Sequence, residues 1–486
     1  MEPDKAGVSN AMVVSAEPQT RAECEIARAL SREEPALLSS LGFGPFVRQG
    51  EGPGPAVLIG DQSEIALMED ASSSPLEHRM ALLARPGDHM LLHRLDCAFE
   101  TYLEAYLGFK NVTFHQVKKT TNGPLTRQVW TNAEWVERLA TIARTQGGLT
   151  FKAYLTTGHT WRLAQTVGER ARQVVHVSGP SPRMARRAND KLWFSHLARR
   201  LIGDDATPPT VASFGPAATA GLVKRTGRIA GQVVIKVPDS AGSAGNIRLD
   251  KAATCGRTTT ELQRLLLDRL HATGWRDGYP VLVGVWDKDV ICSPSVQMWI
   301  PLPSDGPPEV EGIFEQRVHD AVGSFVGAAP TTLPLDIQGR LERQAACIAR
   351  VLQQLGYFGR CSLDAVLCKT AKDPALVHWI ECNARWGGVS IPMTAAALIR
   401  TNTAPPHVSI AQELLQGHSI SMAELLERLE GMLLRAGTDK SGIVIGSPPP
   451  HPKGAQINVF ALAETQARAD EILRSAMRAI TEQHRA

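Results

Sequence analysis

Glu381, Asn383 and Arg385 occupy every second position of "WIECNARWGG", residues 379 to 388. In an extended strand, side chains alternate between faces. The three polar groups therefore share one face. Ile380, Cys382 and Ala384 share the other, apolar face and point to a core. A carboxylate, an amide oxygen and a guanidinium grouped in this way are costly to bury unless a ligand needs them. Upstream, "CSLDAVLC" holds Asp364 as the only charge between Cys361 and Lys369. Antiparallel pairing across the turn "KTAKDP" brings Asp364 close to Glu381 and Asn383. Three oxygen donors with no sulfur or imidazole describe a site for a hard cation, Mg2+ or Mn2+. The alternative places Asp364 on a solvent face and pairs Glu381 with Arg385 as a structural ion pair. Two acids on facing strands repel one another without a cation, which favours the metal.

A second segment, "VVIKVPDSAGSAGN", ends a β-branched strand at Lys236 and runs into a loop with Ser240, Gly242, Ser243 and Gly245. Glycines let backbone N–H groups approach a phosphate, and such a run can form an anion nest. A lysine at the strand end adds a point charge for phosphoryl oxygens. The alternative is a hairpin loop beside a surface lysine. In "NDKLWF", Lys191 follows a helix cap, at the end of a helix where an anion is favoured. A lysine in a first helical turn is by itself ordinary surface decoration. The 14 histidines form no HExxH or cluster, and no GxSxG elbow occurs, which argues against covalent nucleophilic catalysis.

These segments need a scaffold. A chain of 486 residues is too long for one core and implies two to four domains. With 43% hydrophobic and 21% charged residues, the composition is that of a soluble globular protein. A net charge of +3 and 5% aromatic residues give no reason to expect nucleic acid as a partner. No apolar run approaches the roughly 20 residues that span a bilayer, and the opening "MEPDKAGVSN" does not read as a secretory signal. The eight cysteines form no CxxC pair and mostly sit in apolar segments, as Cys347 does in "RQAACIARVL". They read as reduced core thiols of a cytoplasmic protein.

Strand and helix patterns alternate from "PAVLIGD" through "RQVVHVSG", which predicts βαβ units and a parallel sheet without a GxGxxG fingerprint. Residues 179–190, "GPSPRMARRAND", read as a basic linker with solvated arginines. A helix capped by Asn189 or Asp190 follows, with Trp193, Leu197 and Leu201 four apart. A further helix starts at the capping box Thr258 to Glu261, with Leu262, Leu265, Leu266 and Leu270 as its buried stripe. "PVLVGVWD" and "SVQMWIPL" read as strands joined by a short connection, and 303–334 as an irregular segment. The metal hairpin follows a helix at "LERQAACIARVLQQLG". The tail holds two helices around the strands "SGIVIGS" and "AQINVFAL". The chain divides into an N-terminal α/β domain over 1–185, a central lobe over 186–290 and a C-terminal lobe over 291–486.

Taken in order, "NDKLWFSHLARRLIGDDATPPT", "VVIKVPDSAGSAGN", "PVLVGVWD" and "CSLDAVLC…WIECNARWGG" resemble the ATP-grasp superfamily over about residues 186–400. The long N-terminal domain, "SPSVQ" and "ECNARWGG" look most like the pre-ATP-grasp peptide ligases of the pheganomycin type. The resemblance implies a Rossmann-like pre-ATP-grasp domain followed by a two-lobed ATP-grasp fold, α/β and α+β in class. It implies an ADP-forming carboxylate–amine ligase acting on amino acid or peptide substrates, in secondary metabolism. Lys191 and Lys236 would hold ATP phosphates under the Ser240 to Gly245 loop. Asp364, Glu381 and Asn383 would hold Mg2+. Arg385 would steady the transferred phosphoryl group or the substrate carboxylate. Where many relatives carry a glutamate after the interlobe strand, this chain has Gly284-Val285-Trp286, leaving Asp287 as the candidate ribose contact. Arg317 is the candidate cation of the large loop. A carboxylase-like or phosphotransfer enzyme with a non-peptide acceptor, and a non-catalytic nucleotide-binding module, are the competing expectations. Apolar helices in the N-terminal domain are compatible with a homodimer.

Overall fold

The computed structural model describes residues 20–37, 42–68, 75–119, 123–240, 245–319, 324–371, 373–399, 407–415, 419–450 and 454–482. The alternating first third forms a six-stranded sheet in which every pairing is parallel. Its spatial order is Val47–Gln49, Val175–Val177, Leu149–Ala153, Ala56–Ile59, His89–Leu92 and Thr113–Gln116. From Ala56–Ile59 the chain winds outward in one direction. It returns to Leu149–Ala153 on the other side and winds the opposite way. Such a reversal opens a crevice at the carboxyl ends of the two neighbouring strands, the usual ligand position in open α/β sheets.

The central lobe is a four-stranded antiparallel sheet ordered Thr210–Ser213, Val281–Val285, Val233–Lys236 and Asn246–Leu249. Helices Pro216–Ala230 and Thr259–His271 bury Val223, Leu262, Leu266 and Leu270 against it. Thr258 and Glu261 close the capping box the sequence encodes.

A nine-stranded antiparallel sheet occupies the C-terminal part. One face packs on helices Pro182–Asn189, Lys191–Ile202 and Leu335–Gln354 through Leu363, Trp379, Cys382 and Ala384. Other strands of the sheet share a continuous core with the N-terminal domain, where Leu58, Met80 and Phe99 join Ile410, Val444 and Phe460.

The structure revises four sequence readings. The basic linker is a helix over Pro182–Asn189: Ser181 caps it, Pro182 opens it, and Met184, Ala185 and Ala188 are its buried stripe. The expected irregular segment holds two strands, Glu309–Val318 and Phe325–Pro330, inside the large sheet. Glycines and polar side chains hide that pattern, because these strands edge a polar cleft as well as a core. "PVLVGVWD" and "SVQMWIPL" lie in different sheets, so their short connection crosses between lobes. Finally, Ile380 is not a core residue. Glu381 pairs with Asp364 and Trp379 with Ala365, so Ile380 is the extra residue of a β-bulge. The bulge turns Trp379 into the core, where it is fully buried, while Glu381 keeps the opposite face.

Candidate active site

The hairpin expected to hold metal consists of Gly359–Cys368 and Leu376–Asn383, antiparallel, with Asp364 opposite Glu381 and Ser362 opposite Asn383. The neighbouring strand Pro294–Ile300 adds Ser295 opposite Asp364 and Gln297 opposite Ser362. One sheet face thus collects two acids and four neutral polar side chains. Gln297 donates to the Ser295 hydroxyl at 2.8 Å, which donates to Asp364 Oδ1 at 2.6 Å. Asn383 Nδ2 donates to Asp364 Oδ2 at 2.8 Å, and Asn383 Oδ1 accepts from Arg385. Burial, reinforced by the Glu381 carboxylate, pushes Asp364 up to about 6. Burial also acts upward on Glu381, but the Lys191 and Arg385 cations hold it below the usual carboxylate range. The donor set suits a hard divalent cation: two carboxylates and an amide, whose mutual repulsion such an ion would relieve.

Cations converge from other elements. Lys191 opens the helix Lys191–Ile202, whose first N–H groups are capped by Asp190. Its backbone N–H bonds the Pro238 carbonyl, tying the helix start to the loop after Val233–Lys236. The side chain is 6% exposed, lies 3.0 Å from Glu381 Oε2 and donates to the Ser240 carbonyl. It is therefore not surface decoration. Lys236 is half-buried, and burial together with Lys191 pulls its ammonium down to about 8 against the attraction of Glu381. Ser240 turns its hydroxyl onto the Val237 carbonyl, making a tight turn rather than an open hydroxyl. Gly245 closes that turn: a Cβ there would meet Val237 and Ser240 Oγ at 2.8 Å. Gly242 and Ser243 lie outside the described residues.

Arg385 bridges two segments, donating to Asn189 Oδ1 and Asn383 Oδ1. Asn189 also accepts from the Ala384 N–H at 3.1 Å. The Trp386 N–H bonds the Tyr154 carbonyl at 3.0 Å, anchoring the hairpin's end on the N-terminal domain. Of the following glycines, Gly388 is packed: a Cβ would lie 2.9 Å from Phe325 and 3.5 Å from Gln412 Oε1. Asp287 pairs with His378 Nδ1 at 3.0 Å, and with Cys368 these groups present ligand atoms within 4.8 Å of one another. Arg317 donates to the Ile410 carbonyl and does not line the cleft.

A cleft with about 190 Å3 of water-accessible space runs from this face to the N-terminal domain. Asp364, Glu381, Asn383 and Arg385 form one wall, and Gln62, Arg79 and Tyr154 the other. Sequence reading missed Asn189, Gln62 and Arg79, which carry no local motif. Ser295 and Gln297 carry a faint one, two polar residues two apart in an apolar strand.

Residues 77–169 match the model of the pre ATP-grasp domain family. No curated protein matches the sequence. Among solved structures, an N5-carboxyaminoimidazole ribonucleotide synthetase in complex with ADP superposes with a TM-score of 0.53 and 10% identity. That superposition covers 90% of this chain and 100% of the other. The enzyme of the same name from Thermus thermophilus gives 0.52 and 13% over 89% and 99%. The biotin carboxylase domain of Hydrogenobacter thermophilus 2-oxoglutarate carboxylase, with MgADP, ADP and bicarbonate, gives 0.51 and 13% over 88% and 90%. At such identities the likeness is one of fold. No helix among the described residues is long and apolar enough to cross a membrane. The chain is a mixed α/β protein with a pre-ATP-grasp domain and an ATP-grasp-like fold.

Proposed function

We propose that the protein is an ATP-dependent carboxylate–amine ligase that joins an amino acid or peptide carboxylate to an amine, in the manner of the pheganomycin-type peptide ligases. The observation that carries the reading is the convergence of Lys191, Lys236 and Arg385 on the facing pair Asp364 and Glu381. Phosphoryl transfer needs charge neutralisation and positioning more than a protein nucleophile. In this reading a substrate carboxylate oxygen bonds to the γ-phosphorus of ATP and ADP leaves. The amine then bonds to the acyl carbon of the resulting acyl phosphate, phosphate leaves, and the amine's proton passes to solvent. Asp364, Glu381 and Asn383 would hold Mg2+ (or Mn2+), which supplies countercharge for the phosphates. Lys191 and Lys236 bind phosphate oxygens, with Glu381 fixing the Lys191 ammonium. Arg385, oriented by Asn189 and Asn383, would align the reacting carboxylate with its planar, two-pronged donor set. Asn383 must rotate its amide to offer oxygen to the ion, since that oxygen now faces Arg385. Asp287, held by His378, is the proposed ribose contact. The work divides along the chain, with residues 1–185 walling the substrate cleft, 186–290 covering nucleotide and 291–486 carrying the metal hairpin.

The test is ADP release from ATP with pairs of amino acids, with and without Mg2+. Release that needs both a carboxylate and an amine supports the reading. A carboxylase-like reaction is favoured by the bicarbonate-containing neighbour; ADP release that requires bicarbonate and no amino acid would establish it instead. ATP binding without turnover for any pair would point to a non-catalytic nucleotide-binding module.

A further inference from the structure

Arg79 is 3% exposed, yet no carboxylate among the described residues lies within ion-pair distance of it. A buried cation without a countercharge is costly, and proteins retain one where a ligand supplies the anion. Its position is built. Arg79 belongs to the helical segment Pro75–Leu83, which presses on the end of Ala56–Ile59 so closely that a Cβ on Gly60 would come within 1.9 Å of the Glu77 carbonyl oxygen. Glu77 is spent on His93, accepting from its backbone N–H at 3.1 Å and meeting Nδ1 at 3.0 Å, so it does not neutralise Arg79. Arg79 Nε donates to the Leu76 carbonyl at 3.3 Å and Nη1 to Gln412 Oε1 at 3.0 Å, with its carbon centre 5.5 Å from the Tyr154 ring centre. These contacts leave Nη2 without a partner among the described residues.

A second observation points to the same place. Gln62 is 4% exposed, lines the cleft, and its Nε2 has no hydrogen-bond partner among the described residues. Gln62 follows the strand Ala56–Ile59, and Tyr154 follows Leu149–Ala153. Gln62, and Arg79 through its contact with the Tyr154 ring, therefore stand at the crevice where the parallel sheet reverses direction. The cleft that holds them and Arg385 is also lined by the apolar Ile65, Met68, Leu76 and Phe325.

We infer that Arg79 and Gln62 form a receptor for a carboxylate that does not react, and that the amine substrate is an amino acid or short peptide with an apolar side chain and a free carboxyl group. This rests on the ligase reading above. Arg385, beside the metal hairpin, serves the carboxylate that is activated. Arg79, on the opposite wall, holds the acceptor by its own carboxylate and leaves its amine toward the hairpin.

The experiment uses the full-length protein and compares L-leucine, L-methionine and L-phenylalanine, as acceptors, with their carboxamides. ADP release should need the free acid, with the amide raising KM about 30-fold or more, the scale of losing a buried charged partner. Arg79→Met should raise the acceptor KM by a similar factor, abolish the preference for acid over amide, and leave the KM for ATP unchanged. Arg79→Lys should restore part of the preference, and Gln62→Leu should weaken it. Equal use of acid and amide by the wild-type protein would overturn the receptor while leaving the ligase reading intact. If no pair supports ADP release, the ligase reading fails. Thermal-shift titration with the same acids and amides then decides the receptor alone. Stabilisation by acids only, lost in Arg79→Met, supports it, and no difference rejects it.

Discussion

Replacing Asp364 with Asn should make the metal-free protein more stable and leave it unable to turn over. Asp364 faces Glu381 on the adjacent strand, and burial with that neighbour moves its carboxyl from 3.8 up to about 6. Keeping it ionised near neutral pH therefore costs up to about 3 kcal/mol. The asparagine keeps an oxygen for the Ser295 hydroxyl, but its amide no longer accepts from Asn383, a loss of about 1 kcal/mol. The expected net gain is about 1–2 kcal/mol. The pH dependence has a definite sign. Between pH 3.8 and about 6 the folded wild type binds more protons than the unfolded chain, so its stability falls as pH rises through that window. The advantage of Asp364→Asn should be complete above about pH 6, shrink below it, and close toward pH 3.8. Thermal unfolding of both proteins in a chelator across this range measures it, with Mg2+-dependent ADP release assayed on the same samples. A variant less stable than wild type at neutral pH would refute the electrostatic account. One that still released ADP at the wild-type rate would refute the metal assignment.

Glu381→Gln should cut Mg2+-dependent ADP release by about 10²-fold or more, with near-UV circular dichroism confirming the fold; near wild-type turnover would remove Glu381 from the metal set. Because Lys236 loses its proton near pH 8, ADP affinity measured calorimetrically should weaken about tenfold for each pH unit above that point. A flat profile from about pH 7 to 9 would show that Lys236 does not bind phosphate. Deleting Ile380 removes the bulge but leaves Glu381 opposite Asp364 and Trp379 opposite Ala365, each on its present face, because adjacent strand residues alternate. The variant should therefore still unfold cooperatively, as Ile380→Val should; loss of cooperative unfolding would show that the local bend of the bulge is needed as well as the facing of the two residues.

What the sequence determined by itself is local. A short connection between two apolar strands, the seven residues between Cys368 and Leu376, sets which residues face each other, so Asp364 meets Glu381 by proximity along the chain. The capping box at Thr258 and the alternating strands and helices of the first domain were legible for the same reason, since short-range geometry decides them. The helix at Pro182–Asn189 was concealed by its arginines, although its capping serine and opening proline were in view. The bulge at Ile380 was not legible, because alternation assumes an unbroken ladder and only the packing of Trp379 into the core reveals the slip. Tertiary structure alone decided the rest of the site. Asn189 reaches Arg385 from almost two hundred positions away in the chain, and Arg79 meets Gln412 from more than three hundred. Single polar residues carry no local signature. They acquire a role when folding removes water from around them and brings distant charges to one cleft, where each must find a partner or a ligand.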